Sequence, residues 1–135
     1  MRKMKRLIIT ILAVSVIVIG VNLFTEGIPL LGIPEIEKID KVVIEHKDYP
    51  DEYKTYSDEE NIELAVALLG YLRYSPLKDL SDDNQLIKIS YIMDDGTEQV
   101  VAANNYTVWW NGKPSALHDE NTFVKMCTAV FFADN

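Results

Sequence analysis

The sequence predicts an α+β fold: a single N-terminal transmembrane helix, then a small antiparallel sheet with two helices packed on one face, in the order β-β-α-β-β-β-α. Three observations predict it. A run without charge, Leu7 to Phe24, follows the basic start Met1-Arg2-Lys3-Met4-Lys5-Arg6. Several later stretches alternate apolar and polar residues, the pattern of half-buried strands. Two others carry apolar residues at helical spacing.

The N-terminal run just reaches the lower limit of roughly 17 apolar residues needed to span a bilayer core. Four cations ahead of it favour a cytoplasmic start, so residues 1–6 read as a cytoplasmic basic stub and 7–24 as a transmembrane helix or signal anchor. A basic start and an apolar run also describe a cleaved secretory leader. Val18-Ile19-Gly20 is a poor cleavage site, and apolar residues continue past Gly20. Run length therefore favours a retained anchor, and either reading places the remainder outside the cytoplasm.

Residues 25–35 read as a Gly/Pro spacer, with Gly27-Ile28-Pro29 and Gly32-Ile33-Pro34 repeating at an interval of five. Proline fixes φ and pushes its predecessor toward extended backbone. The remainder, 36–135, is then one extracytoplasmic α+β domain. In Ile39 to His46, Val42, Ile44 and His46 share a face. Glu52 to Tyr56 is a second strand, antiparallel to the first across the turn at Lys47 to Asp51.

Ser57-Asp58-Glu59-Glu60 matches a capping box, and the helix it starts runs to about Tyr74, with Pro76 ending it. Leu86 to Met93 is the clearest strand, with Ile87, Ile89, Tyr91 and Met93 on one side. Asp95-Gly96 is a hairpin signal, and Glu98 to Ala103 pairs back. Tyr106 to Trp110 is another strand. Asn111-Gly112 turns the chain into a short edge, Lys113 to Ala116, where Pro114 is tolerated. From Asp119 a last helix sets Phe123, Met126, Cys127, Val130 and Phe131 on one stripe.

Nine basic against 21 acidic residues follow Phe24, a balance of −12. Such a surface repels nucleic acid and anionic headgroups, and plain solubility explains it most simply. Cys127 is the sole cysteine, so no internal disulfide can form. His46 and His118 are the only histidines, and neither has metal-ligand spacing. There is no G-x-S-x-G and no phosphate loop. Metal, cofactor and catalytic residues are therefore each expected to be none. The aromatic residues Trp109 and Trp110, with Tyr106, are the candidate binding residues. Adjacent strand residues face opposite sides, so one indole should lie in the core and the other toward solvent.

Three stretches carry a resemblance: Ile33 to Ile39, Tyr56 to Ile62, and Ile87 to Tyr91 with Asp95-Gly96. Behind an N-terminal membrane segment they resemble a family of small exported domains of unknown function from Gram-positive bacteria. The resemblance implies an exported α+β domain and supplies no catalytic residue. The chain lacks the lipobox cysteine of some similar exported proteins, which implies anchoring through the helix.

The function expected is a non-catalytic interaction module attached to the cell membrane through Leu7 to Phe24. It would bind a protein or peptide at the outer face through the aromatic residues or an edge strand. One alternative is a cation-sensing acidic domain. Another is a hydrolase using carboxylates among Asp79, Asp82, Asp83, Asp94 and Asp95, which requires two of them to converge with separated pKa values.

Overall fold

The computed structural model describes residues 2–76, 78–80 and 84–132, with the side chains of 2 and 19–26 left aside. The chain begins with α1 (Arg2–Glu26), then β1 (Ile28–Pro29), a 3-10 turn at Ile36–Lys38, β2 (Ile39–His46), β3 (Lys54–Tyr56) and α2 (Glu59–Leu69). It continues through β4 (Arg73–Tyr74), β5 (Ile87–Met93), β6 (Glu98–Ala103), β7 (Thr107–Trp110) and β8 (Lys113–Ala116) to α3 (Thr122–Phe131).

The α+β mixture with an antiparallel sheet is as expected, but the transmembrane helix is not. Among the described residues no helix is long and apolar enough to cross a membrane. The described side chains of α1 are residues 3–18, all exposed, and three of them are the cations Lys3, Lys5 and Arg6. Within the described side chains the uncharged stretch is Leu7 to Val18, about 18 Å at ~1.5 Å per residue, against a hydrocarbon core of about 30 Å.

Six strands form one sheet in the order β3-β2-β5-β6-β7-β8, every neighbour antiparallel. The period-two pattern explains which face is covered. Val42 and Ile44 from β2, Ile87, Ile89 and Tyr91 from β5, Val101 from β6 and Val108 from β7 share one buried cluster. Ile62, Ala65, Leu68 and Leu69 of α2 join it, as do Phe123, Val124, Cys127 and Phe131 of α3. Both helices therefore lie on one sheet face. The α3 stripe is rotated slightly from expectation: Val124 is buried, while Val130 is exposed. Tyr91 fastens sheet to helix, its hydroxyl donating to the Ala65 carbonyl at 2.6 Å.

Helix boundaries moved where two residues competed for one role. The N-cap of α2 is Asp58, whose carboxylate accepts from the Asn61 amide at 3.0 Å, rather than Ser57. The helix closes at Gly70, and Arg73–Tyr74 becomes a strand instead of a last turn. It pairs antiparallel with Ile28–Pro29.

The segment expected to be a free spacer is thus bound to the domain. It is extended, as its prolines require, but Leu30 is buried in the core and Ile33 packs against it. Gly27 permits the close approach: its φ is +84°, and a β-carbon there would sit 2.9 Å from that of His118. The β1–β4 pair joins the β8 margin, where Ser75 N–H donates to Ala116 O and His118 N–H to Arg73 O.

Candidate functional site

The three candidate binding residues do not assemble. Val108 and Trp110 face the helices, and Trp110 packs half-buried against the core. Its indole N–H donates to the Leu31 carbonyl at 3.0 Å, so the indole helps hold the N-terminal segment down. Trp109 lies on the opposite face between Ala102 and Pro114 on the adjacent strands. It is nevertheless buried, at 8% exposure. Of the three, Tyr106 alone is well exposed.

A different constellation forms where the ends of β2 and β5 meet the C-terminal end of α3. Strand alternation turns His46 inward beside Val42 and Ile44, and the ring is 5% exposed. Tyr49 follows in the turn that His46 starts, its amide donating to the His46 carbonyl. Phe132 arrives from α3. The Tyr49 and Phe132 rings stack with centroids 5.2 Å apart and planes 9° apart. The His46 ring meets both edgewise, at 5.0 Å and 5.3 Å.

Hydrogen bonds fix the protonation of His46. Its Nδ1 accepts from the Asp48 amide at 3.1 Å, so that nitrogen carries no proton. The Thr128 hydroxyl donates to the Val124 carbonyl at 2.7 Å and so accepts from His46 Nε2–H at 3.1 Å. The imidazole is neutral and both nitrogens are occupied. Burial lowers its pKa below the ordinary value, with the nearby Asp48 charge opposing.

Two cavities open on either side of this group and share His46, Tyr49 and Leu86 in their walls. One, of about 420 Å³, adds Lys47, Tyr53 and Lys88. The other, of about 500 Å³, adds Asn105, Val124, Lys125 and Thr128. Both fall in the size range of small-ligand sites. Lys47 Nζ donates to Asn84 Oδ1. Lys88 approaches Glu45 at 3.9 Å. The Lys54 ammonium lies 5.8 Å from the centre of the Phe132 ring, within reach of a cation–π attraction.

The other titratable groups singled out in the sequence are engaged structurally or lie elsewhere. The Cys127 thiol is buried, which pushes its pKa up to about 12. Asp95 Oδ1 accepts from the Thr97 amide at 2.9 Å and hydroxyl at 2.6 Å, which ties the hairpin turn and lowers the carboxyl's pKa. Asp79 and Asp94 are exposed, while Asp82 and Asp83 lie outside the described residues. Among the described residues no group of three His, Cys, Asp or Glu is placed to hold a metal ion.

Sequence reasoning missed the His46 cleft because its walls come from residues 45–54, 85–88, 105 and 124–132. The one usable signal was a histidine at an inward strand position followed by Tyr49-Pro50. No known protein family, curated protein or solved structure matches the chain. The resemblance to small exported domains therefore rests on the quoted residues alone.

Proposed function

We propose that the chain is an exported binding module that takes a protein or peptide partner in the His46 cleft. The observation that carries this reading is the meeting of two solvent-open cavities at a stacked aromatic wall whose histidine is fully hydrogen-bonded. A general base needs a nitrogen free to take a proton from substrate, and a nucleophilic thiol needs a lowered pKa. His46 has both nitrogens engaged, and Cys127 is shifted the opposite way. The cleft's groups thus suit holding a ligand better than transforming one. Export rests on the basic start, the apolar run behind it and the resemblance to exported domains.

The test is capture of partners from intact cells with the full chain, compared with Tyr53→Ala, Lys125→Ala and Tyr106→Ala. Tyr53 and Lys125 line the cleft yet are exposed, so their truncation spares the fold. Capture lost with the first two and kept with the third supports the cleft. Capture kept with the first two and lost with Tyr106→Ala moves the site to the neighbouring β6–β7 turn. Fractionation tests export: a chain confined to the cytosol removes that part.

A further inference from the structure

Charge at the cleft runs against the charge of the rest of the molecule. Four of the nine basic residues after Phe24 gather there: Lys47, Lys88 and Lys125 in the cavity walls and Lys54 over Phe132. The facing carboxylates are Glu45 and Asp48. Glu45 is drawn to Lys88, Lys47 is engaged by a neutral amide, and Lys54 by a ring. The walls therefore present more ammonium than carboxylate, in a region whose overall balance is −12. Asp51 and Glu52 lie in the adjoining turn but line neither cavity.

Resting on the binding reading above, we infer that the cleft takes an extended acidic peptide segment with apolar residues between its carboxylates. A segment laid across Tyr49 advances ~3.3 Å per residue and enters both cavities, which a single small anion would not fill. Its carboxylates meet Lys47 and Lys125, and its apolar side chains meet Leu86, Tyr53 and Val124. A nucleic acid, with a charge at every phosphate, is repelled by the acidic remainder. A short acidic segment meets the lysines locally, and salt weakens the attraction.

Fluorescence anisotropy of the full chain with labelled Glu-Leu-Glu-Leu-Glu-Leu tests this, beside the Gln-Leu and Lys-Leu counterparts. The acidic peptide should bind at least tenfold tighter than the Gln-Leu peptide and weaken as salt rises. The paired reversal Lys47→Glu with Lys125→Glu, both exposed, should cost tenfold or more and transfer the preference to Lys-Leu. Equal affinity for the acidic and Gln-Leu peptides overturns the acidic class. If Tyr53→Ala then weakens both equally, the cleft itself stands. Binding untouched by the reversal and by Tyr53→Ala lies elsewhere and overturns inference and cleft together. No binding of any peptide overturns the inference alone, since the capture comparison addresses the cleft independently.

Discussion

Trp109-Trp110 and His46-Tyr49-Phe132 are two aromatic groupings of the described residues, and they behave in opposite ways. The tryptophans are neighbours in sequence and part company in space, one on each face of β7. His46 and Phe132 are 86 positions apart and meet ring to ring. Nearness along a strand guarantees separation, because the pleat alternates. Convergence of a sheet end with a helix end builds a wall from remote positions. The first grouping holds the fold; the second borders open space.

The sharpest test of that division is Trp109→Ala. Truncating a buried tryptophan typically costs about 3–5 kcal/mol, so the urea midpoint should fall steeply while the folded fraction keeps its cleft. A mild loss would mean that Trp109 is a surface residue and would break the comparison. Thr128→Val comes next. It leaves His46 Nε2–H without its acceptor in a buried place, which costs about 1–3 kcal/mol. Chemical denaturation should show it, with Ser in place of Thr128 restoring most of the loss.

Trp110→Phe should cost less, about 0.5–1.5 kcal/mol, because water can reach the Leu31 carbonyl once the indole N–H is gone. Limited proteolysis near Leu31 should then become faster than in the parent.

The pH dependence isolates the His46 end. Its folded pKa lies below the ordinary 6.5, so the unfolded chain binds the proton more readily. His46 costs nothing above about pH 6.5. Stability falls as pH drops from there toward the lowered folded value. Denaturation at pH 7.5 and 5.5 should show this loss, and His46→Gln should flatten it. An unchanged slope would mean that other groups set it. The smallest effect concerns the α2 cap: Asp58→Ala should lower the melting temperature, and Ser57→Ala should leave it nearly unmoved.

Much of the architecture was legible because it follows period. In Ile87 to Met93, alternation alone identified the core face, and Asp95-Gly96 fixed the return. Helix ends were less legible: Ser57 and Asp58 both fit a cap, and the choice turned on Asn61. The 28–30 segment read as a spacer because glycine and proline dominated it, yet Ile28, Leu30 and Ile33 supplied enough apolar surface to dock. The apolar start read as a membrane span on run length, and the described helix does not support one. Trp109 was beyond reach, since its burial depends on residues brought beside it from other strands. The cleft was beyond reach for the same reason, with Thr128 lying 82 positions from the histidine it meets.

Cys127 carries a last consequence. Its thiol is the chain's only one, is fully buried beneath α3, and resists ionisation. A thiol-directed reagent can reach it only when α3 lifts from the sheet. The labelling rate therefore counts those openings one molecule at a time, and a ligand that clasps α3 at Lys125 should slow that clock.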